Sequence, residues 1–283
     1  MKMMNKLLGA IALSLTCSLA IAAGSDYPLD KAPDKLNDQA ALQNGAKIFV
    51  NHCLNCHSAK SLRYNKLRDI GLTDQQIKES LLFTGEKVGD LMTIAMTKED
   101  GTNWFGAAAP DLSVIARAKS RNAGPPGGDY IYTYMRTFYR DMTQPTGWNN
   151  LAFPNAGMPH VLWDNQGPRE LTSTIIQQVP QDGEMVWQKI TKQYGPEGYW
   201  TADAEILDNY TGSAGVTHSF NALDPKKAAQ YDRDMGDLAA FMTWMAEPVQ
   251  LERKRIGFWV LVFLGLFFIV AWRLNATYWK HIK

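Results

Sequence analysis

The feature that most constrains this chain of 283 residues is the C-x-x-C-H motif formed by Cys53, Cys56 and His57. Two residues between the thiols allow both sulfurs to bond the two vinyl groups on one edge of a porphyrin, and the adjacent imidazole then comes under the iron. The motif is the attachment signal for a c-type haem, and it predicts one covalently bound haem c. A helix predicted over residues 39–51 leads into the motif and would set the imidazole against the haem face.

Two other uses of paired cysteines fit the sequence less well. A thioredoxin-like redox pair needs a βαβ surround, which the helical context does not offer. A zinc site needs two further ligands at similar spacing, and the sequence has no second C-x-x-C. The third cysteine, Cys17, lies in a segment predicted to be removed, so we expect no structural disulfide in the mature chain.

Residues 1–22 have the three-part pattern of a secretory signal peptide. Lys2 and Lys6 precede an apolar stretch over residues 7–16, and small residues follow at Ala20 and Ala22. The apolar stretch is too short to span a bilayer. We therefore predict cleavage before Ala23 and export of the domain that begins there.

A second apolar segment lies near the C-terminus, where residues 256–272 contain no charged side chain. At about 1.5 Å per residue this segment covers roughly 25 Å, which approaches the roughly 30 Å hydrocarbon core of a membrane. The alternative is a buried helix of a soluble fold. We predict a transmembrane anchor over residues 251–274, a cytoplasmic tail over 275–283, and an exported haem domain over 23–250. This arrangement places the haem domain in the periplasm and the anchor in the cell inner membrane.

The intervening chain favours a mainly α fold. Helical patterns recur over residues 73–82, 111–119 and 129–139 and between Pro225 and Pro248, whereas strand patterns are scarce. Segments rich in Pro and Gly separate them. The sequence thus predicts a mainly α, cytochrome c-like haem domain with long loop insertions, plus one C-terminal transmembrane helix.

The charges of the exported part are unbalanced although the whole chain is nearly neutral, at a formal +1. Residues 24–251 hold 21 Lys and Arg against 27 Asp and Glu, because the two ends contain eight of the 29 basic residues and one of the 28 acidic residues. The near-neutral total argues against nucleic-acid binding. The acidic excess fits either an ordinary solvated face or a docking surface for a basic partner.

The sixth iron ligand is predicted to be Met158. It lies in a loop stiffened by Pro154, Gly157 and Pro159, where a methionine has little reason to be for packing alone. His160 is the rival ligand. Ligation by His and Met raises the reduction potential and leaves no open position for oxygen or peroxide, so it indicates electron transfer rather than catalysis.

Taken together, five segments of the chain resemble the cytochrome c1 family, the haem-bearing subunit of the ubiquinol-cytochrome c oxidoreductase (cytochrome bc1) complex. The resemblance covers most of the exported domain and the anchor. The five segments are residues 53–57, 109–113 with Arg117, 128–130, 153–159, and 246–248 continuing through 253–255.

The resemblance implies specific haem contacts. His57 and Met158 would be the axial pair, Pro110 would shape the proximal wall, and Tyr130 would lie against the haem. Relatives place an arginine on a haem propionate shortly after the segment 110–113. Here the aligned residue is Lys119 and Arg117 comes two residues earlier, so both stay candidates, and a lysine could not make the bidentate contact of an arginine.

The function implied by the resemblance is one-electron relay without substrate chemistry in this chain. The haem would accept an electron from the Rieske iron-sulfur subunit and pass it to a cytochrome c, while the anchor would pack beside cytochrome b in the membrane lipid. Two alternatives are a membrane-anchored cytochrome c feeding a terminal oxidase, and a haem enzyme or gas sensor with an open distal site. Residues 160–225 match the family least.

Overall fold

The computed structural model describes residues 27–121, 124–181 and 183–281. The predicted signal peptide lies outside the described residues, as does the predicted cleavage site. The α-helices of the described ranges are α1 (Gln39–Ile48), α2 (Asp74–Ser80), α3 (Lys98–Phe105), α4 (Ile115–Ala118), α5 (Gly127–Arg136), α6 (Trp163–Gln166), α7 (Pro225–Ala246) and α8 (Gln250–Tyr278).

The strands form three antiparallel sheets. Two are small pairs, β1 with β2 and β3 with β4, and the third has four strands in the order β7-β6-β5-β8. The strands are β1 (Ala59–Arg63), β2 (Leu91–Met92), β3 (Phe138–Arg140), β4 (Trp148–Asn150), β5 (Arg169–Gln181), β6 (Glu184–Tyr194), β7 (Trp200–Ile206) and β8 (Gly215–Ala222).

The hydrophobic core lies where α1 crosses α7. The backbones approach so closely that a Cβ atom on Gly45 would lie 2.3 Å from the carbonyl oxygen of Asp237. Beside this crossing the rings of Phe49 and Phe241 pack with their centroids 5.6 Å apart, and both side chains are fully buried. This close approach brings the cysteine motif, which follows α1, against the core.

Side-chain caps define several helix starts. Thr73 forms a capping box with Gln76 at the start of α2, which confirms the helix predicted there. Asp224 accepts hydrogen bonds from the backbone N–H groups of Lys226 and Lys227, so α7 begins at Pro225 as predicted. The predicted helix over 39–51 is α-helical only to Ile48 and continues as a π-helical turn over Phe49–Cys53.

The helix predicted over residues 111–119 is largely wrong. Only Ile115–Ala118 is helical, because Asp111 is engaged elsewhere. Its carboxylate accepts hydrogen bonds from the backbone N–H groups of Lys60 and Ser113, each at 2.9 Å. These bonds hold residues 110–113 as a loop beside the motif.

The expectation of a mainly α fold is also wrong, because residues 169–222 form the four-stranded sheet. β5 and β6 pair from Leu171 with Tyr194 to Gln181 with Glu184, and β5 pairs with β8 along its other edge. Ile175 and Ile176 belong to a β-branched run that favours a strand. Gly183, which precedes β6, has a φ of +88°, a conformation that suits glycine.

The last helix, α8, has 29 residues and is long and apolar enough to cross a membrane. Its most apolar 18-residue window has a mean hydropathy of 2.2, and none of that window is buried against the rest of the chain. The helix contains the whole predicted anchor. It starts four residues after the end of α7, so the two helices are joined by a very short connection.

Candidate haem site

The cysteine motif sits on a tight turn that directly follows the π-helical segment. The backbone N–H groups of Cys56 and His57 both donate to the carbonyl of Cys53, at 3.1 and 2.9 Å. The turn therefore places the histidine beside both thiols. Burial raises the pKa of the Cys53 thiol to about 12, and both Cys53 and Cys56 are free of disulfide bonds.

His57 is oriented by the backbone of Pro110. Its Nδ1 lies 2.7 Å from the Pro110 carbonyl oxygen, and because that oxygen can only accept, Nδ1 carries the proton. Burial lowers the pKa of His57, although the Pro110 contact acts in the other direction, so the ring is neutral at pH 7. The unprotonated Nε2 is then the ring nitrogen able to bind a metal, which is the arrangement that fits haem iron.

The loop that carries Pro110 is fastened to the motif. The backbone N–H of Leu112 donates to the carbonyl of Ser58 at 2.9 Å, and the Asp111 carboxylate bonds to the Lys60 N–H. Burial alone would raise the pKa of Asp111, but the hydrogen bonds from Ser113 and Lys60 outweigh it and hold the pKa below its usual value. The loop thereby fixes the acceptor that orients His57.

Met158 lies half-buried beside α5. The hydroxyl of Tyr134 lies 3.5 Å from the Met158 sulfur and donates to it. The loop before Met158 is held by two asparagines: Asn149 accepts from the N–H of Asn155 at 2.8 Å, and Asn150 accepts from those of residues 152 and 153. The sequence analysis missed Tyr134, Asn149 and Asn150, and only the adjacency of the two asparagines to the Pro-rich loop could have drawn attention to them.

His160, the rival ligand, is enclosed by aromatic side chains. Its ring stacks on Phe138 with centroids 4.8 Å apart and an interplanar angle of 4°, and it meets Trp148 edge-on at 5.1 Å. Only 1% of its surface is exposed. Burial lowers the pKa of His160 to about 3. The side chain is thus buried among the aromatic rings of the core.

The remaining predicted haem contacts separate into two groups. The Lys119 ammonium lies 4.6 Å above the ring of Tyr130, which stacks at 5.9 Å on Tyr134, the residue that contacts Met158. Arg117 points elsewhere, because its guanidinium lies 3.6 Å from the Glu247 carboxylate at the end of α7. Lys119 and Tyr130 therefore share the side of the molecule on which Met158 lies, and Arg117 faces the anchor.

Within the described ranges, no three His, Cys, Asp or Glu side chains come together in a way that could hold a metal ion. The paired thiols, the oriented imidazole and the thioether loop instead fit a haem. A covalent haem motif in a domain attached to one helix that can cross a membrane defines a class: the membrane-anchored c-type cytochromes.

Comparison with known proteins identifies the family within this class. Residues 30–182 and 220–282 match the model of the Cytochrome C1 family. The chain belongs to this family, whose members are the haem-bearing electron-transfer subunits of the cytochrome bc1 complex, bind one covalent haem c and assemble with cytochrome b and the Rieske subunit.

Relatives match along nearly the whole chain. The cytochrome c1 of Allochromatium vinosum is 39% identical over 280 residues, which are 99% of this chain and 100% of that protein. A Nitrosomonas europaea protein named ammonia monooxygenase gamma subunit is 36% identical over all of both chains. The cytochrome c1 of Rhodospirillum rubrum is 25% identical over 87% of this chain and 83% of its own length. The family match is interrupted over residues 183–219, which contain β6, β7 and the start of β8.

Proposed function

We propose that this chain relays single electrons from the Rieske subunit to a cytochrome c through a haem held by Cys53, Cys56, His57 and Met158. When bound, haem c supplies an iron that changes between the ferric and ferrous states by one electron. The observation that carries the proposal is the 2.7 Å contact from His57 Nδ1 to the Pro110 carbonyl, which leaves Nε2 for the iron. No substrate bond needs to change at this site.

Met158 would supply the second iron ligand besides His57. The Tyr134 hydroxyl stays protonated, because burial raises its pKa, and it can therefore donate to the thioether or orient the loop that carries it. The bonds that Asn149 and Asn150 make to the loop reduce the entropy lost when a weak ligand such as a thioether binds. A thioether ligand favours ferrous iron, which suits acceptance of an electron at high potential.

Lys119 and Tyr130 would serve the haem periphery, with Pro110 as the proximal wall. Because Lys119 already lies over the Tyr130 ring, its ammonium is available to a propionate on that side as a single point charge. Arg117 is the weaker candidate, since it pairs with Glu247 near the anchor. Replacing Lys119 with Gln should then change the midpoint potential of the haem more than replacing Arg117 with Gln.

The proposed topology is the one that the sequence predicts. Residues 1–22 would be the cleaved signal peptide, 23–250 the periplasmic haem domain, 251–274 the anchor in contact with membrane lipid, and 275–283 the cytoplasmic tail. The acidic excess of the exported part favours a basic cytochrome c as acceptor, whose association would weaken with added salt.

The axial role of Met158 is tested by Met158→Leu in the full-length protein in its native membrane complex. We expect the absorption band that reports sulfur bound to iron to disappear and the midpoint potential to fall by roughly 0.1 V or more, since axial ligands set haem potentials over a wide range. The matched control is Met242→Leu, because Met242 is a buried core residue of α7.

Only Met158→Leu should change the spectrum and the potential. If both variants kept the band and the potential of the parent, the axial assignment would be wrong and the open-site alternative would gain support. Isolation of the parent complex with cytochrome b and the Rieske protein would distinguish this role from that of a cytochrome serving a terminal oxidase.

A further inference from the structure

A cavity of about 510 Å³ lies between the haem domain and the four-stranded sheet. Its walls come from β3, β4 and α6 on one side and from the start of β5 and the turn after β6 on the other. It adjoins the first turn of α7, the end of that helix away from the anchor. The proposed haem site uses none of the side chains that line it.

The cavity wall contains a partly buried cation, Arg169, without a carboxylate partner. One terminal nitrogen of Arg169 donates to the carbonyl oxygen of Phe138, and the guanidinium lies 3.7 Å above the ring of Phe220. Its Nε is buried and has no acceptor, and Arg169 makes no ion pair within the described part of the chain. A buried charge left in this state is costly, and an oxyanion would compensate it.

A second donor on the same wall also lacks an acceptor. The side-chain Nε2 of Gln166 is buried and unpaired. Both unpaired atoms of the lining are donors, so a ligand that accepts hydrogen bonds would satisfy them. The two ring nitrogens of His160, which contacts Gln166 but does not line the cavity, are also unpaired. Burial lowers the pKa of Arg169 only to about 10, so its guanidinium is still charged at neutral pH.

The other charges of the lining add to this preference. Arg140 lies with its guanidinium 4.6 Å above the Trp148 ring, and it has no ion-pair partner among the described residues. Lys227 is already paired with Asp164 at 3.1 Å. Glu197 is the remaining acid of the lining and is solvent-exposed. Among the described residues, the lining therefore contains two guanidinium groups without an ion-pair partner and one exposed carboxylate without one.

We propose that this cavity binds a small organic anion, with a carboxylate or phosphate oxygen at Arg169 and Arg140 and an apolar or aromatic body against the aromatic wall. The aromatic wall consists of Tyr139, Trp148 and Trp163, of which Trp163 is 58% exposed and accessible from solvent. The cavity volume exceeds the need of a bare inorganic ion, which is why an organic body is part of the proposal.

The test is calorimetric titration of the haem-loaded, detergent-solubilised full-length protein at constant ionic strength. The probes are benzoate and acetate, which carry the same charge and differ in the aromatic body. We expect one saturable site that binds benzoate more tightly than acetate. Arg140→Gln should weaken benzoate binding by about tenfold or more, because it removes one charge-assisted contact.

The matched control is Lys189→Gln, which removes one positive charge from the exposed face of β6, where Lys189 pairs with Glu205 outside the cavity. It should bind benzoate like the parent, whereas Glu197→Gln should bind it more tightly because a repelling carboxylate is lost. Arg169→Lys keeps the charge but lacks the Nε donor, so it should also weaken binding.

Three results would overturn the proposal: equal affinity for benzoate and acetate, equal effects of Arg140→Gln and Lys189→Gln, or no saturable binding. In each case, ordered water would be the partner of the unpaired donors. The haem spectrum recorded on the same samples separates these results from any failure of the relay function.

Discussion

The crossing of α1 with α7 and the four-stranded sheet are stabilised in different ways. At the crossing, Gly45 leaves no space for a single added carbon, and the side chains around it are buried. In the sheet, every residue of β7 is exposed and β5 contributes only Leu171 and Ser173 to the buried interior. Side-chain packing therefore specifies the first region, and backbone pairing specifies the second.

The family match follows this difference between the two regions in part. The match covers the helical core, the cysteine motif and the loop of Met158, and it is interrupted in the sheet over residues 183–219. A region that packs around a cofactor tolerates few changes, whereas exposed strands at the periphery can vary as long as their ladder is kept. Within the sheet, β6, β7 and the start of β8 thus lie outside the family match, whereas β5 lies inside it.

The largest expected effect comes from adding one methyl group at the crossing of α1 and α7. Gly45→Ala would place Cβ 2.3 Å from the Asp237 carbonyl oxygen, so the helices must separate, and we expect a loss of about 3 kcal/mol or more in the free energy of unfolding. That loss corresponds to a Tm lower by roughly 6–12 °C. Thermal unfolding of the haem-loaded protein in detergent measures it.

Gly215→Ala is the matched change in the sheet. A Cβ at Gly215 meets no atom within 4 Å, so we expect the Tm to stay the same or to rise slightly as the unfolded chain loses entropy. Equal losses for the two variants would contradict the contrast between the regions.

A smaller effect is expected from shortening the sheet. Ile176 pairs with Gly215 at the end of the β5 and β8 ladder, so an Asn-Gly turn joining them would replace residues 177–214 with a two-stranded hairpin. The shortened protein should attach haem with the parent's spectrum and potential. It should lose about 2 kcal/mol, since it lacks the hydrogen bond from the Met142 N–H to Gly198 and the Tyr139–Tyr194 ring contact, and since residues 171–176 of β5 exchange their pairing with residues 189–194 of β6 for water.

Absorption spectra, redox titration and Tm together check the shortened protein. Failure to attach haem would show that the sheet is needed to form the haem domain, and the distinction between the two regions would then be wrong.

The smallest expected effect concerns pH and the loop of Pro110. Because folding lowers the pKa of Asp111, its contribution to stability is present above the unfolded value of about 3.9 and is lost as the pH falls through the folded value. Asp111→Asn should therefore lower the Tm slightly at pH 7, and the difference from the parent should close below about pH 4.

Asp203→Asn provides the comparison in β7, where the carboxylate makes no hydrogen bond within the described part of the chain and is exposed. Its Tm should follow the parent across the same pH range. A difference for Asp111→Asn that persists at low pH would mean that the loop depends on something other than the charge of Asp111.

The sequence predicted the parts of the molecule that depend on local spacing. The C-x-x-C-H motif, the Thr73 cap, the last helix of the domain and the apolar anchor are all determined by residues a few positions apart. The sheet was missed although Asp182-Gly183 is a strong hairpin signal between two runs containing β-branched residues. Both faces of these strands are partly exposed, so apolar and polar residues do not alternate strictly along them. The alternation that predicts a strand is therefore weak in this segment.

Other features could not be predicted because they depend on contacts between distant segments. The contact from His57 to Pro110 joins residues 53 positions apart, and that from Tyr134 to Met158 joins residues 24 apart. Arg117 and Lys119 are two positions apart in sequence, yet the structure directs one to Glu247 and the other to Tyr130. Spacing alone does not distinguish two such neighbours.

The short connection between α7 and α8 has a consequence for how electrons reach this subunit. Only residues 247–249 separate the two helices, and Glu247 in this connection is bound by Arg253 of the anchor and lies 3.6 Å from Arg117. A cofactor site held in this way stays at one position at the membrane surface and does not itself move between its donor and its acceptor. The donor and the acceptor must then come to this fixed position. Lengthening the connection would free the site from that position and should therefore slow the relay, measured as turnover of the complex, without changing the midpoint potential.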